Sequence, residues 1–281
     1  MAKIIWGNTV VKNEGRYIWF AIKSVIDHLD KILIYDTGSI DDTVKIIDLL
    51  KKDHPNKIIF KKMGEVNAEG LTRLRQKMLD ETTSDWLILV DGDEVWWRNS
   101  IKKTVNRIQT KGDILYALVN PVINLVGDIY HYRTEETGRY KILGKKGHFN
   151  IRAINRKIKG LHIKNEYPLE GFFTEEKKLI QDYGQEKLEF INGPLLHFSH
   201  LIRSNLKEGD KDSVKRSIKI KYEIGVKFPS DFEYPEVFYQ PYPSFINSPW
   251  QHMSMGFRLR ALAETPLKKI KREITDEKSK S

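Results

Sequence analysis

The first ninety residues alternate between short apolar runs and longer stretches whose apolar positions recur at helical spacing. Ile4 to Val11 is such a run; after it Ile18, Ile22, Val25, Ile26 and Leu29 trace the stripe of an amphipathic helix, with Asn13 as its expected N-cap. Lys31 to Tyr35 reads as the next strand. Ser39 and Asp42 then read as a capping box ahead of a second stripe, Thr43, Ile46, Ile47 and Leu50. Lys57 to Phe60 is a third strand, and Leu71, Leu74 and Met78 mark a helix leading into Trp86-Leu87-Ile88-Leu89-Val90. An unbroken apolar run of that length, closed by Asp91-Gly92-Asp93-Glu94, predicts a fully buried strand of a parallel sheet. The alternation as a whole predicts an α/β fold: a Rossmann-like, mostly parallel sheet with helices on both faces.

Past residue 100 the pattern loosens. Ile101, Val105 and Ile108 predict a helix, Ile114 to Val119 a strand, Val122 to Gly147 a loop or hairpin, and Phe149 to Ile154 a half-buried strand. After Leu201 the character changes. Val214, Ile218 and Tyr222 mark a basic helix, Phe228 to Phe257 is an irregular run rich in aromatics and prolines, and Arg258 to Lys280 is basic and amphipathic through Leu259, Leu267 and Ile270. The expected plan is one domain over residues 1–200 and a helical, irregular C-terminal extension over 201–281.

The buried strand acquires chemical meaning from the acids at its carboxyl end. In open α/β sheets ligands bind outside the carboxyl ends of the strands, where Asp91, Asp93 and Glu94 would stand. Carboxylates are hard ligands, suited to Mg²⁺ or Mn²⁺ shared with substrate phosphates. Among 281 residues there is no cysteine, which excludes disulfides, zinc-thiolate sites and cysteine nucleophiles and favours a cytoplasmic setting. No apolar stretch has the length of a membrane span, and Met1 to Gly15 lacks the apolar core of a signal peptide, so a soluble or peripheral protein is expected. The net charge of +10 implies attraction to something anionic: nucleic acid, a phosphate-bearing ligand or an acidic membrane. A nucleic-acid-binding protein without catalysis is one alternative, although no helix-turn-helix, RNP or zinc motif is present. A metal-dependent nucleotidyltransferase is another, although Val10-Val11-Lys12-Asn13-Glu14 is no Gly-rich phosphate loop.

Four motifs in order carry a resemblance: Val11-Lys12-Asn13-Glu14, Tyr35-Asp36-Thr37-Gly38-Ser39-Ile40-Asp41-Asp42-Thr43, Arg75-Gln76, and Asp91-Gly92-Asp93-Glu94. Over roughly the first hundred residues the chain resembles family 2 glycosyltransferases with the GT-A fold. The resemblance implies transfer of a sugar from a nucleotide-sugar donor with inversion, which needs a base on the acceptor side. It also implies donor contacts from Val11, Asn13, Glu14, Asp36, Arg75, Asp91 and Gly92, and Mn²⁺ or Mg²⁺ on Asp93 with Asp91. In related transferases a short His and Glu motif precedes a strand ending in a His that completes the metal site. Here His162 with Glu166 and Glu170 comes first, and Leu195-Leu196-His197 and His200 come after. This order implies Glu166, or else Glu170, as acceptor base, His197 as a metal ligand, and the 122–147 segment over the acceptor side. The acceptor stays open among a lipid-linked sugar, a glycan and a protein. The basic tail, with Trp250, Phe257 and Leu259, is expected to meet the cytoplasmic face of an anionic membrane, a homodimer is an alternative use of its aromatics, and no nucleic acid is expected as partner.

Overall fold

The computed structural model describes residues 1–167, 169–206, 208–212 and 219–278, with the side chains of 212, 269, 271, 273 and 275–278 outside the description. Its middle is a set of four parallel strands. β1 (Ile5–Val11) lies between β2 (Lys31–Asp36) and β4 (Trp86–Leu89), and β3 (Ile58–Lys62) lies beyond β2. The crossovers are helices α1 (Ile18–Val25), α2 (Thr43–Asp53) and α3 (Ala68–Glu81).

Both faces of the sheet are covered because alternate residues of each strand point opposite ways. Ile32 and Ile34 of β2 pack with α1, α2 and α4 (Arg98–Lys111), whereas Leu33 and Tyr35 pack against Leu74 and Met78 of α3. Leu87 and Ile88 are fully buried on opposite faces, each contributing about 1.5–3 kcal/mol through apolar area removed from water.

Beyond β4 the direction reverses. β10 (Phe149–Asn155) runs antiparallel to β4, β6 (Ala117–Val126) antiparallel to β10, and β7 (Asp128–Tyr132) antiparallel to β6. The short β5 (Glu94–Trp96) leaves the acidic turn and pairs antiparallel with β14 (Leu195–His197). β14 also pairs parallel with β6, as β13 (Leu188–Phe190) does nearer the start of that strand. The double register of β14 sets His197 opposite Glu94 on one side and Asn124 on the other. Two hairpins, β8–β9 (Tyr140–Ile142, Lys145–Gly147) and β11–β12 (His162–Lys164, Gly171–Phe173), stand over the sheet's carboxyl side.

Several expectations are corrected. Asn13 does not cap α1, whose first turn comes after Tyr17 without a side-chain cap. Ser39 and Asp42 form no capping box either: Asp41 Oδ1, instead, accepts from the Thr43 N–H. Val122 to Val126 belongs to β6, so the expected loop is two strands, a 3₁₀ turn and a hairpin. The helix expected through Val214 and Ile218 lies outside the described residues. Phe228, Tyr234, Phe238 and Ile246 join the same hydrophobic cluster as α1, so residues past 200 share the core of those before it. Trp250 packs on Tyr234, Phe238 and Tyr239, and Phe257 on Tyr222, so both rings face protein. The C-terminal helix Met255–Lys278 exposes Leu259, Leu262, Leu267 and Ile270. Among the described residues no helix is long and apolar enough to cross a membrane.

Candidate active site

The loops carrying the first two motifs hold each other. Asn13 sits in the left-handed backbone region (φ 54°). Its N–H donates to Ser39 Oγ, its Oδ1 accepts from the Ile40 N–H, and its Nδ2 donates to the Gly209 carbonyl. The Glu14 N–H donates to Thr43 Oγ1 and the Gly15 N–H to Asp41 Oδ2. Asp36 accepts from the Gly38 and Ser39 N–H groups in an Asx turn. Asn13 and Asp36 are buried and do not line the cleft at the strand ends; they form the frame that sets Val11 and Glu14 in its wall.

At the carboxyl ends of β1 and β4 the molecule opens into this cleft, of about 650 Å³. Val11, Glu14, Arg75, Asp91, Gly92, Asp93, Glu170 and His197 line it, together with Arg152 and Arg203. Gly92 is required by close approach, since a Cβ there would stand 2.9 Å from Glu14 Cγ and 3.1 Å from Val11 Cγ1. The carboxylates are met by buried cations. Asp93 Oδ2 accepts from Arg203 Nη1 at 2.5 Å and lies 3.3 Å from His197 Nε2; Arg203 also reaches Glu14 Oε1 at 3.2 Å. Arg152 donates to Glu94 and lies 3.4 Å from Asp91 Oδ2. Burial alone would raise the Asp93 carboxyl, but the Arg203 guanidinium outweighs it and holds the group well below the usual carboxylate range. Glu94 goes the other way. Complete burial pushes it well above the usual range, and repulsion from Asp91 and Asp93 adds to a rise that Arg152 offsets only in part.

The two candidate bases part company. Glu166 is exposed on the turn between β11 and β12, outside the cleft. Glu170 lines the cleft, with Oε1 3.7 Å from Arg75 Nε and Oε2 buried without a hydrogen-bond partner among the described residues. Arg73, two residues before Arg75 on the same helix, is exposed and pairs with Glu69 instead of reaching the cleft. Gln76 accepts from the Ile163 N–H at 2.6 Å and pins β11 to α3. His200 is turned from the site: its Nδ1 meets the Lys219 carbonyl at 2.8 Å. Sequence reasoning missed Arg152 and Arg203. The signal for Arg152 was a lone charge inside a half-buried strand; Arg203 carries no local signal, because 110 residues separate it from Asp93.

Among the described residues no group of three or more His, Cys, Asp and Glu side chains is placed to hold an ion. The donors present are one carboxylate and one imidazole converging at 3.3 Å, with the partly exposed Asp91 on the cleft side. Such a set fits Mn²⁺ or Mg²⁺ arriving with phosphate oxygens that complete its sphere, and not a cage of protein ligands alone.

A solved structure of TarS residues 1–349 from S. aureus matches 77% of this chain and 70% of its own length, at 14% identity and a TM-score of 0.43. Glucosyl-3-phosphoglycerate synthase from Mycobacterium tuberculosis, solved with Mn²⁺ and uridine-diphosphate-glucose, matches 69% of this chain and 71% of its own, at 16% identity and a TM-score of 0.42. The SPbeta prophage-derived glycosyltransferase SunS of Bacillus subtilis (strain 168) is 31% identical over 88 residues, which are 31% of this chain and only 19% of that relative. The family model described as glycosyl transferase family 2 matches residues 9–165, more than half of the chain and all of the cleft's acidic floor. The chain therefore belongs to glycosyl transferase family 2, the glycosyltransferases that its four ordered motifs resemble.

Proposed function

We propose that the cleft holds a nucleoside-diphosphate sugar and that the chain transfers its glycosyl group, with inversion, to an acceptor hydroxyl entering beside Glu170. The observation that carries this reading is the convergence of Asp93, His197 and Arg203 at the carboxyl end of β4, on the floor of a cleft that also contains a half-buried glutamate. Glu170 takes the acceptor's proton as the acceptor oxygen bonds to the sugar's anomeric carbon, while the bond from that carbon to the diphosphate breaks and leaves with its electrons. Arg203 and Arg152 already balance the acids of the floor, so an incoming diphosphate meets a site of low net charge. A divalent ion held by Asp93, His197 and Asp91 would neutralise charge developing on the departing diphosphate. Tyr140, Ile142, Tyr167 and Leu169, on the two hairpins, form the acceptor wall.

The test is a screen of nucleotide sugars for nucleotide release, with Mn²⁺, with Mg²⁺ and with excess chelator, and then the same assay on Glu170→Gln and Glu166→Gln. Glu170→Gln is expected to slow transfer about 10²- to 10⁴-fold with donor affinity kept, and Glu166→Gln to change little. Full activity in chelator would remove the ion from the reaction. Equal loss of donor affinity in Glu170→Gln would assign that residue to donor binding.

A further inference from the structure

A chain of four side chains runs from the base of the β8–β9 hairpin to the cleft, and its hydrogen bonds admit one direction for each proton. Thr137 Oγ1 donates its only hydrogen to the Thr134 carbonyl at 2.8 Å. The same oxygen lies 2.8 Å from His148 Nε2 and can only accept there, so His148 carries a hydrogen on Nε2. Burial, and next the nearby Arg133, lower the His148 pKa, which keeps that ring to one proton. His148 Nδ1 is then an acceptor, and the atom it faces at 2.9 Å is Asn124 Nδ2. This fixes the amide: Asn124 Oδ1 points the other way, 3.1 Å from His197 Nδ1, and must accept a hydrogen from it. Either neighbour of Asn124 alone would leave the amide free to turn over; the committed proton of Thr137 is what removes the choice.

We infer that Thr137, His148 and Asn124 lock His197 as the Nδ1–H tautomer, so that its Nε2 presents a lone pair, not a proton, to Asp93 and the cleft. The inference rests on the reading of His197 as part of the donor site. A lone pair 3.3 Å from Asp93 Oδ2 and 3.9 Å from Glu94 Oε1 is unfavourable by itself and favourable with a cation between the groups. The geometry thus makes the Nε2 side a receptor for positive charge. Asn124 is a positioning residue here, acting through His197 in the way that a hydrogen-bonded outer partner sets the tautomer of a metal-ligating histidine.

Histidine-selective nitrogen-15 labelling of the whole chain, with long-range proton–nitrogen correlation at about pH 8, above the ordinary imidazole range, reads the tautomer of each ring without any metal. The expected spectrum has His197 protonated on Nδ1 and His148 on Nε2. Asn124→Leu should convert His197 to a mixture of tautomers and weaken binding of Mn²⁺ about 10- to 100-fold. Asn124→Asp, which keeps the accepting oxygen, should retain the Nδ1–H form. Should Asn124→Leu fail to fold, the wild-type tautomers of His197 and His148 decide the question by themselves. A wild-type His197 protonated on Nε2 or on both nitrogens overturns the inference, as does an Asn124→Leu spectrum unchanged at His197. If the tautomers are as expected and Mn²⁺ does not bind, the lock stands and the metal in the proposed reaction falls.

Discussion

Asp93 and Arg203 show how far a single residue's role depends on its burial. From the sequence, Asp93→Asn looks like an isosteric change outside the core; in the fold, Asp93 is 2% exposed and its Oδ2 accepts from the buried Arg203. Removing one partner of a buried pair costs up to about 3–5 kcal/mol, and Arg203 keeps Glu14 as a second partner when Asp93 is lost. Asp93→Asn is therefore expected to lose turnover and to melt below the wild type in calorimetry. Arg203→Met, which leaves both Asp93 and Glu14 without their cation, should melt lower still. An Arg203→Met variant as stable as Asp93→Asn would show that the ion cluster is not what holds this part of the fold. At this scale the acids were legible, because three carboxylates after an apolar run need only local sequence. Their cations were not, since Arg152 and Arg203 reach the floor through strand pairing and a distant loop. Asn13 and Asp36 were legible as special positions, yet their hydrogen bonds go to neighbouring loops and leave the cleft wall to Val11 and Glu14.

The elements of the first ninety residues were readable because each buries a full stripe or run: Ile46, Ile47 and Leu50 of α2, and Leu87 and Ile88 of β4, are completely buried. The segment from 117 to 197 was harder, as most of its strands are three to five residues long, and the longer β6 and β10 are bulged where they pair. The turn after β14 is one such case. His200 there joins its Nδ1 to the Lys219 carbonyl and so ties the start of the next segment to a residue near its end. Burial, and then Arg133, lower its pKa from 6.5 to about 3. Between those values the unfolded chain binds a proton that the folded chain refuses, so stability falls as pH drops through the window, by about 1.4 kcal/mol per pH unit, and is level above it. Urea titrations from neutral pH down to about pH 4 are expected to show that slope, and His200→Gln to flatten it. The same slope in His200→Gln would assign the acid sensitivity to other groups.

For the whole molecule, the family match ends at residue 165, while the hydrophobic cluster beneath the sheet draws on Phe228, Tyr234, Phe238 and Ile246. Tyr17 stacks on Phe198 at 4.0 Å, and Phe20 meets Phe238 and Tyr242 edge-on, so α1 is covered by residues from far along the chain. A protein ending at residue 200 is accordingly expected to lack a cooperative thermal transition and to bind apolar dyes, whereas one ending at residue 254 keeps the cluster and should melt cooperatively; a sharp transition in the shorter form would show that residues 1–200 stand alone. The sequence separation of the site's buried ion pair also has a consequence in time. Asp93 leaves the ribosome 110 residues ahead of Arg203, and at ordinary elongation rates that interval lasts about 5–20 s. Throughout it the parallel strands can pair while Asp93 lacks its counter-charge, so every newly made molecule passes through a stage with sheet but no finished cleft. On the proposed function, donor binding belongs only to chains whose synthesis has passed that loop.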